Sequence, residues 1–229
     1  PDPLHQDAPH LAAETLLPAW ALIPAPHEDR PDQPLSPSNL GGAKALPGES
    51  LSLTEEAAKA RGTAVHLLLE HLPLIPRPDW PTAAAALIPD PALTAEVLDE
   101  ATRLLLAPDL GWLFAAESLA EVAFTARLGQ RTLQGTIDRL VIGPESLKLI
   151  DFKSNTQVPG TPDQVPEGIL RQMGAYVAAL EKIYPGREVR AALLYTQTPQ
   201  IFDLSQELAT MHKSSLQAAQ QSFPFSGVE

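Results

Sequence analysis

Apolar positions along this chain change their period at two places. Over residues 52–72 they recur at helical spacing: Ser52 and Glu55 stand in the S-x-x-E arrangement of a capping box, and Val65, Leu68, Leu69 and Leu72 supply an apolar side. Two further helical stretches, 81–88 and 92–107, are divided by Pro89-Asp90-Pro91 and read as a helical insertion. From about Ser118 the period shortens to two. Residues 120–128, 132–142 and 147–153 are short runs rich in Val, Ile, Leu and Thr, broken at Gly129-Gln130 and Gly143-Pro144, and they predict three antiparallel strands. A helix over 167–183, a strand over 189–196, a short strand over 201–204 and a helix over 206–221 complete the order. The reading is α+β, with no internal repeat. Residues 1–50 lack sustained periodicity and are rich in proline, with seven acids against two bases; they read as an extended arm with a short helical piece near 12–17. A linker laid over the domain surface is the plainer role for that arm, and partner docking the other.

The second hairpin carries the first chemical signal. If Gly143 to Ser146 form a four-residue loop, Ile142 faces Leu147, Leu140 faces Leu149, and Asp138 faces Asp151, all on one side of the sheet. Opposed carboxylates about 5 Å apart repel by roughly 3 kcal/mol at an effective dielectric near 20. Lys153, two residues beyond Asp151, shares that side and discourages protonation. A divalent cation held by oxygen relieves the repulsion, and Mg²⁺ is the hard ion that keeps positions open for water and phosphate. A solvated acidic strand end with Asp151 and Lys153 as a surface pair is the plainer alternative.

Two helices bear on that choice. Gly62, His66 and Glu70 fall at i, i+4 and i+8 on one face of the first helix. A glycine inside a helix costs about 1 kcal/mol relative to alanine, and clearing space one turn from a metal-binding imidazole would justify it. A satisfied core histidine is the simpler reading of His66 taken alone. On the later helix Gln172 and Tyr176 lie one turn apart, an amide and a phenol able to hydrogen-bond a lysine, a water or a phosphate, or merely to border a core.

Composition narrows the chemistry. The chain has 229 residues, 44% hydrophobic and 19% charged, enough for one substantial core. No run suits a membrane span or a signal peptide, so an intracellular protein is expected. Absence of cysteine removes disulfides, thiolate zinc sites, cysteine nucleophiles and iron–sulfur ligation, leaving oxygen and imidazole as metal donors. A start at Pro1 suggests an excised domain of a larger protein, although processing gives the same start. The net charge of −12 argues mildly against nonspecific nucleic-acid binding by the chain alone.

Taken in order, "GTAVHLLLE", "GTIDRLVI", "LIDFKSN" and "QMGAYVAAL" resemble the four signatures of the RecB-type nucleases within the PD-(D/E)XK superfamily. The likeness covers about 52–195, with the insertion at about 80–116 falling where members vary. "PLSPSNL" at 34–40 resembles a segment that precedes this domain in helicase-nucleases, and Glu121 in "AEVAF" takes the acidic position often found on the family's first strand. Ile137 stands where the superfamily's name has proline, and Ser154 where threonine is common. Within the family the AddA-type subunits are most similar, since AddB-type partners and CRISPR-associated relatives typically carry four cluster-binding cysteines; "VRAALLYTQTPQIFDL" also resembles AddA C-termini.

The resemblance implies a restriction-endonuclease-like core over 51–229, a mixed sheet flanked by helices. It implies His66, Asp138, Asp151 and the Phe152 carbonyl as metal ligands, Lys153 as the group that orients water or stabilises phosphate charge, and Gln172 and Tyr176 as supports for the lysine or the DNA backbone. The expected activity is Mg²⁺-dependent exonucleolytic hydrolysis of DNA, with Mn²⁺ as an alternative ion and no iron–sulfur cluster. The expected setting is a helicase-nuclease of double-strand-break repair and recombination. There a motor in the parent chain feeds single strands, an AddB-type subunit is the partner, and the location is the bacterial cytoplasm at the nucleoid. An inert nuclease-like scaffold and a stand-alone or phage-type exonuclease are the rival readings.

Overall fold

The computed structural model describes residues 33–46 and 54–204. The expected helices at 12–17 and 206–221, and the cap at Ser52, lie outside them. All described residues belong to one compact unit, Asp32–Glu229.

The first helix, α1, runs Glu55–His71, and the described N-cap is Thr54, whose side-chain oxygen accepts the Ala57 N–H. Helix α2 runs Trp80–Leu87. Helix α3, Pro91–Leu105, begins on Asp90, whose carboxylate accepts the N–H groups of Ala92 and Leu93 while proline takes the first helical position. Strands β1 (Ser118–Leu128), β2 (Arg131–Ile142) and β3 (Ser146–Lys153) follow, then α4 (Glu167–Ile183), β4 (Glu188–Tyr195) and β5 (Gln200–Leu204). The five strands form one sheet in chain order. Neighbours are antiparallel except β3 and β4, which are parallel and joined by the α4 crossover that such a pair requires. The fold is therefore α+β with a mixed sheet flanked by helices, as expected.

Each face of the sheet has its own core. Helix α4 covers one, setting Ile169, Met173 and Leu180 against Ile137, Leu149 and Leu193. Helices α1 to α3 cover the other, where Val65, Leu68 and Val97 share a cluster with Ile150, Phe152 and Leu194. Strands β3 and β4 are thus buried on both sides, which is why "LKLIDF" and "AALLY" read as nearly continuous apolar runs while β1 alternates.

Residues 33–46 lie on this unit. Leu35 forms a parallel bridge to Leu133, its N–H donating to the Thr132 carbonyl at 2.8 Å and its carbonyl accepting the Gln134 N–H at 2.9 Å. Farther on, the Gly168 N–H donates to the Ala43 carbonyl at 2.8 Å. A Cβ on Gly168 would sit 2.7 Å from that oxygen, so glycine is needed for the chain to pass so close.

A charge cluster ties α1 to α3. The Arg61 guanidinium, with a side chain only 9% exposed, bonds Glu96 at 2.6 Å and also bonds Glu100, whose side chain is 2% exposed. Removing one partner of a buried pair strands the other charge and typically costs about 3–5 kcal/mol, whereas replacing both with apolar groups is often neutral. Arg61→Met should therefore lower the urea midpoint markedly, and Arg61→Met combined with Glu100→Leu should recover most of it. Equal midpoints for wild type and Arg61→Met would show that the pair contributes nothing.

Candidate active site

The hairpin register is as the loop predicts up to a point. Ile142 pairs with Leu147 and Leu140 with Leu149, and the ladder reaches Arg139 opposite Ile150 and ends there. Asp138 and Asp151 do not pair. The cause is a fault in the pleat. Ile137 and Leu140 both belong to the core under α4, three residues apart where strict alternation would put them on opposite faces. Between them Asp138 and Arg139 both turn to the α1 side, Asp138 toward His66 and Arg139 toward the Leu69 carbonyl, which its Nη2 reaches at 2.5 Å.

Strand β1 loses step at the same level. The ladder between β1 and β2 holds Ala120 opposite Arg139 and Val122 opposite Ile137, but skips the intervening positions, Glu121 and Asp138. Glu121 has φ +46°, the one positive φ outside glycine among the described residues. A left-handed glutamate costs of order 1–3 kcal/mol and persists only where its surroundings enforce it. With both strands displaced together, two carboxylates stand side by side and face α1.

There they meet His66. Ligand atoms of His66, Glu121 and Asp138 all lie within 4.8 Å of one another. Asp138 Oδ1 is 3.5 Å from His66 Nδ1, while Asp138 Oδ2 accepts the Phe152 N–H at 2.5 Å. The imidazole sits edge-on to the Phe152 ring, centroids 5.6 Å apart. Burial draws the His66 pKa down, but Asp138 above all, with Asp151 and Glu121, more than offsets it, so it lies above the ordinary histidine value. Burial pushes the Glu121 carboxyl up, and Asp138 beside it adds to the rise. Two half-buried carboxylates and an imidazole form a donor set that a hard divalent cation fits, because it would neutralise acids that now destabilise each other.

Asp151 belongs to a second cluster on the α4 side. It is 3% exposed, and its Oδ2 is 2.6 Å from the Lys153 Nζ. That oxygen has no directed hydrogen bond, so the contact is an ion pair rather than an aligned donor and acceptor. Gln172 Nε2 donates to Asp151 Oδ1 at 3.0 Å, and the same side chain's Oε1 accepts from Lys153 at 3.3 Å. Gln172 also donates to the Tyr176 hydroxyl, which in turn donates to the Thr136 carbonyl at 2.8 Å. Burial pushes the Asp151 carboxyl up; Lys153 opposes this and Asp138 adds to it. Lys153 thus contacts Gln172 directly and Tyr176 only through that glutamine, and Asp151 and Lys153 share a side as the strand period implies.

Two expectations change. Asp151 is not within the compact donor set that includes Asp138, and Glu121 stands there instead. Gly62 does not clear space beside the imidazole: a Cβ there would come 2.8 Å from Ser154 Oγ, so this glycine lets α1 reach the chain leaving β3. The site role of one residue already singled out, and the whole of another, escaped the sequence reading. Glu121, noted at the acidic position of the family's first strand, was legible as the neighbour of Asp138 by counting, since a two-residue turn at Gly129-Gln130 sets it opposite that residue. Arg139 was not, because its partners, Leu69 and Ser118 carbonyls and the Phe114 ring 5.2 Å away, come from distant segments.

A five-stranded mixed sheet flanked by helices, with acids and a lysine where β2 and β3 meet, defines the restriction-endonuclease-like class. The chain belongs to the PD-(D/E)XK nuclease superfamily, whose family model matches residues 40–223. Membership supports nuclease activity, and such enzymes typically use divalent metals. No curated protein matches the chain. Among solved structures, one described as "Crystal structure of SSO0001" aligns over 76% of this chain and 89% of its own at 11% identity, with a TM-score of 0.32, too remote to bear on fold or chemistry. Among the described residues no helix is long and apolar enough to cross a membrane.

Because the Glu121 pKa is raised on folding, the folded state retains a proton that the unfolded chain releases. Stability is therefore lost as pH rises from the ordinary glutamate range through the folded value. In metal-free buffer, Glu121→Gln should melt at a higher temperature than wild type at neutral pH, and the gap should close near pH 4. A gap that widens on acidification would contradict the assignment of repulsion to this carboxylate.

Proposed function

We propose that this chain is a Mg²⁺-dependent deoxyribonuclease domain hydrolysing DNA phosphodiester bonds, an exonuclease in an AddA-type helicase-nuclease of double-strand-break repair and recombination. One observation carries the reading of the reaction: His66, Glu121 and Asp138 converge within 4.8 Å, and Asp151, held by Lys153 and Gln172, lies near enough to act electrostatically with both His66 and Asp138. The helicase setting rests on the sequence resemblance. It brings with it the motor feeding single strands, the AddB-type partner and the cytoplasmic, nucleoid-associated location.

His66, Glu121 and Asp138 would hold the cation, and the Asp151 carboxylate, which acts electrostatically on His66 and Asp138 from outside that compact set, would be a further ligand together with the Phe152 carbonyl; Mn²⁺ would suit the same donors. A divalent cation bound there supplies Lewis acidity toward a phosphate oxygen and toward the attacking water. The Lys153 ammonium, 16% exposed and fixed between Asp151 and Gln172, donates toward the phosphate oxygen on which charge grows. Gln172 orients both partners of that ion pair, and Tyr176 holds Gln172 by its anchorage on the Thr136 carbonyl. Water adds to phosphorus, the bond to one sugar oxygen breaks, and the products are a phosphate monoester and a sugar hydroxyl.

Asp138→Ala and Lys153→Ala should each reduce Mg²⁺-dependent cleavage of single-stranded DNA by at least about 100-fold, the scale of losing one electrostatic stabiliser. Circular dichroism should remain that of the folded chain, and chelation by EDTA should abolish wild-type cleavage. Cleavage by either variant at the wild-type rate would sink the mechanism.

A further inference from the structure

Beyond the fault, one face of the β1–β2 hairpin continues away from Glu121 and Asp138. Alternation there sets three successive cross-strand pairs on the same side: Ala123 with Thr136, Thr125 with Gln134, and Arg127 with Thr132. Each step of two residues advances about 6.8 Å, so the row extends about 20 Å from the acids. Ala123, Thr125, Arg127, Gln134 and Thr136 are exposed, and the first two pairs line an open groove of about 260 Å³.

We propose that this face is a track for the sugar–phosphate backbone of a single DNA strand whose scissile phosphate lies at the His66, Glu121 and Asp138 site. The proposal rests on the nuclease reading above and names where that substrate runs. Charge is the first argument. The chain carries −12 overall, yet residues 122–137 contain no acid and Arg127 stands on this face, so this hairpin is a segment next to the acids that a polyanion can approach. Side-chain chemistry is the second. Thr125, Thr136 and Gln134 offer hydroxyl and amide donors suited to phosphate oxygens, Ala123 leaves clearance beside the site, and Arg127 stands at the far end as a phosphate partner. None of these side chains is aromatic, so the track holds backbone without stacking bases and is indifferent to sequence. Width is the third: the two hairpin strands lie about 4.8 Å apart, with only the Leu35 segment along the other margin of β2, a face narrow enough to suit one polynucleotide strand rather than a duplex.

The test is fluorescence anisotropy of labelled single-stranded oligothymidylate in EDTA, where cleavage is halted, on the 229-residue chain and two variants at exposed positions. Thr125→Glu should weaken binding about tenfold or more, equivalent to about 1.4 kcal/mol. Arg127→Ala should reduce the slope of log affinity against log salt by about 0.7, the value for one phosphate contact on a single strand. Wild-type affinity and slope in both variants would overturn the track, as would a wild type that does not bind the probe. Equal competition by a duplex would overturn the single-strand assignment. Mg²⁺-dependent cleavage by the wild-type chain is measured in parallel. Its presence without a binding defect in the variants rejects the track alone, whereas its absence rejects the nuclease reading.

Discussion

Two strands falling out of step together is the constraint on which the site depends. Glu121 and Asp138 face each other where the ladder between β1 and β2 is interrupted, and the fault directs both carboxylates to the side where α1 carries His66. Like charges at that separation and a left-handed glutamate both oppose folding, so something must hold the fault open. Arg139 does much of it. Its guanidinium reaches the Ser118 carbonyl of β1 and the Leu69 carbonyl of α1 and lies over the Phe114 ring, joining three segments at the level of the acids. The Phe152 N–H, donating to Asp138, secures the carboxylate from the other side.

The end of β3 is gripped from both faces. Phe152 packs toward α1, against His66 and near Phe114, while Asp151 and Lys153 project toward α4 and its glutamine. Tyr176 extends that grip to β2 by bonding the Thr136 carbonyl, two residues ahead of Asp138. Helices on opposite sides of the sheet therefore bear on the same few strand positions. Displacing either would move acids or lysine relative to each other, which is how a packed core transmits geometry to a polar site.

Much of this was legible in the sequence where local chemistry decides. Helix boundaries followed proline and glycine, and the four-residue loop at Gly143 fixed the register through Arg139 and Ile150. The assumption that failed was unbroken alternation. A period of two carries no sign that a glutamate will adopt a positive φ, because the cost is met by contacts of Arg139 and Phe152 that come from other elements. Hence Asp138 was placed beside Asp151 and against Leu140's side, when it turns the other way. The Arg61 pairing with Glu100, across two helices, was illegible for the same reason. The family signatures named the residues that gather here but not which face of the sheet each serves.

The passage of residues 41–43 against α4 has a practical reach. Leu35 completes hydrogen bonds along an otherwise open stretch of β2, and Ala43 receives the N–H of Gly168 in the first turn of the helix that carries Gln172 and Tyr176. A graft or truncation beginning at α1 would leave that helix start and that strand margin bare. The smallest portable unit accordingly begins upstream of Leu35, and a chimaera that respects only the helix boundaries would inherit the catalytic side chains without the belt that seats them.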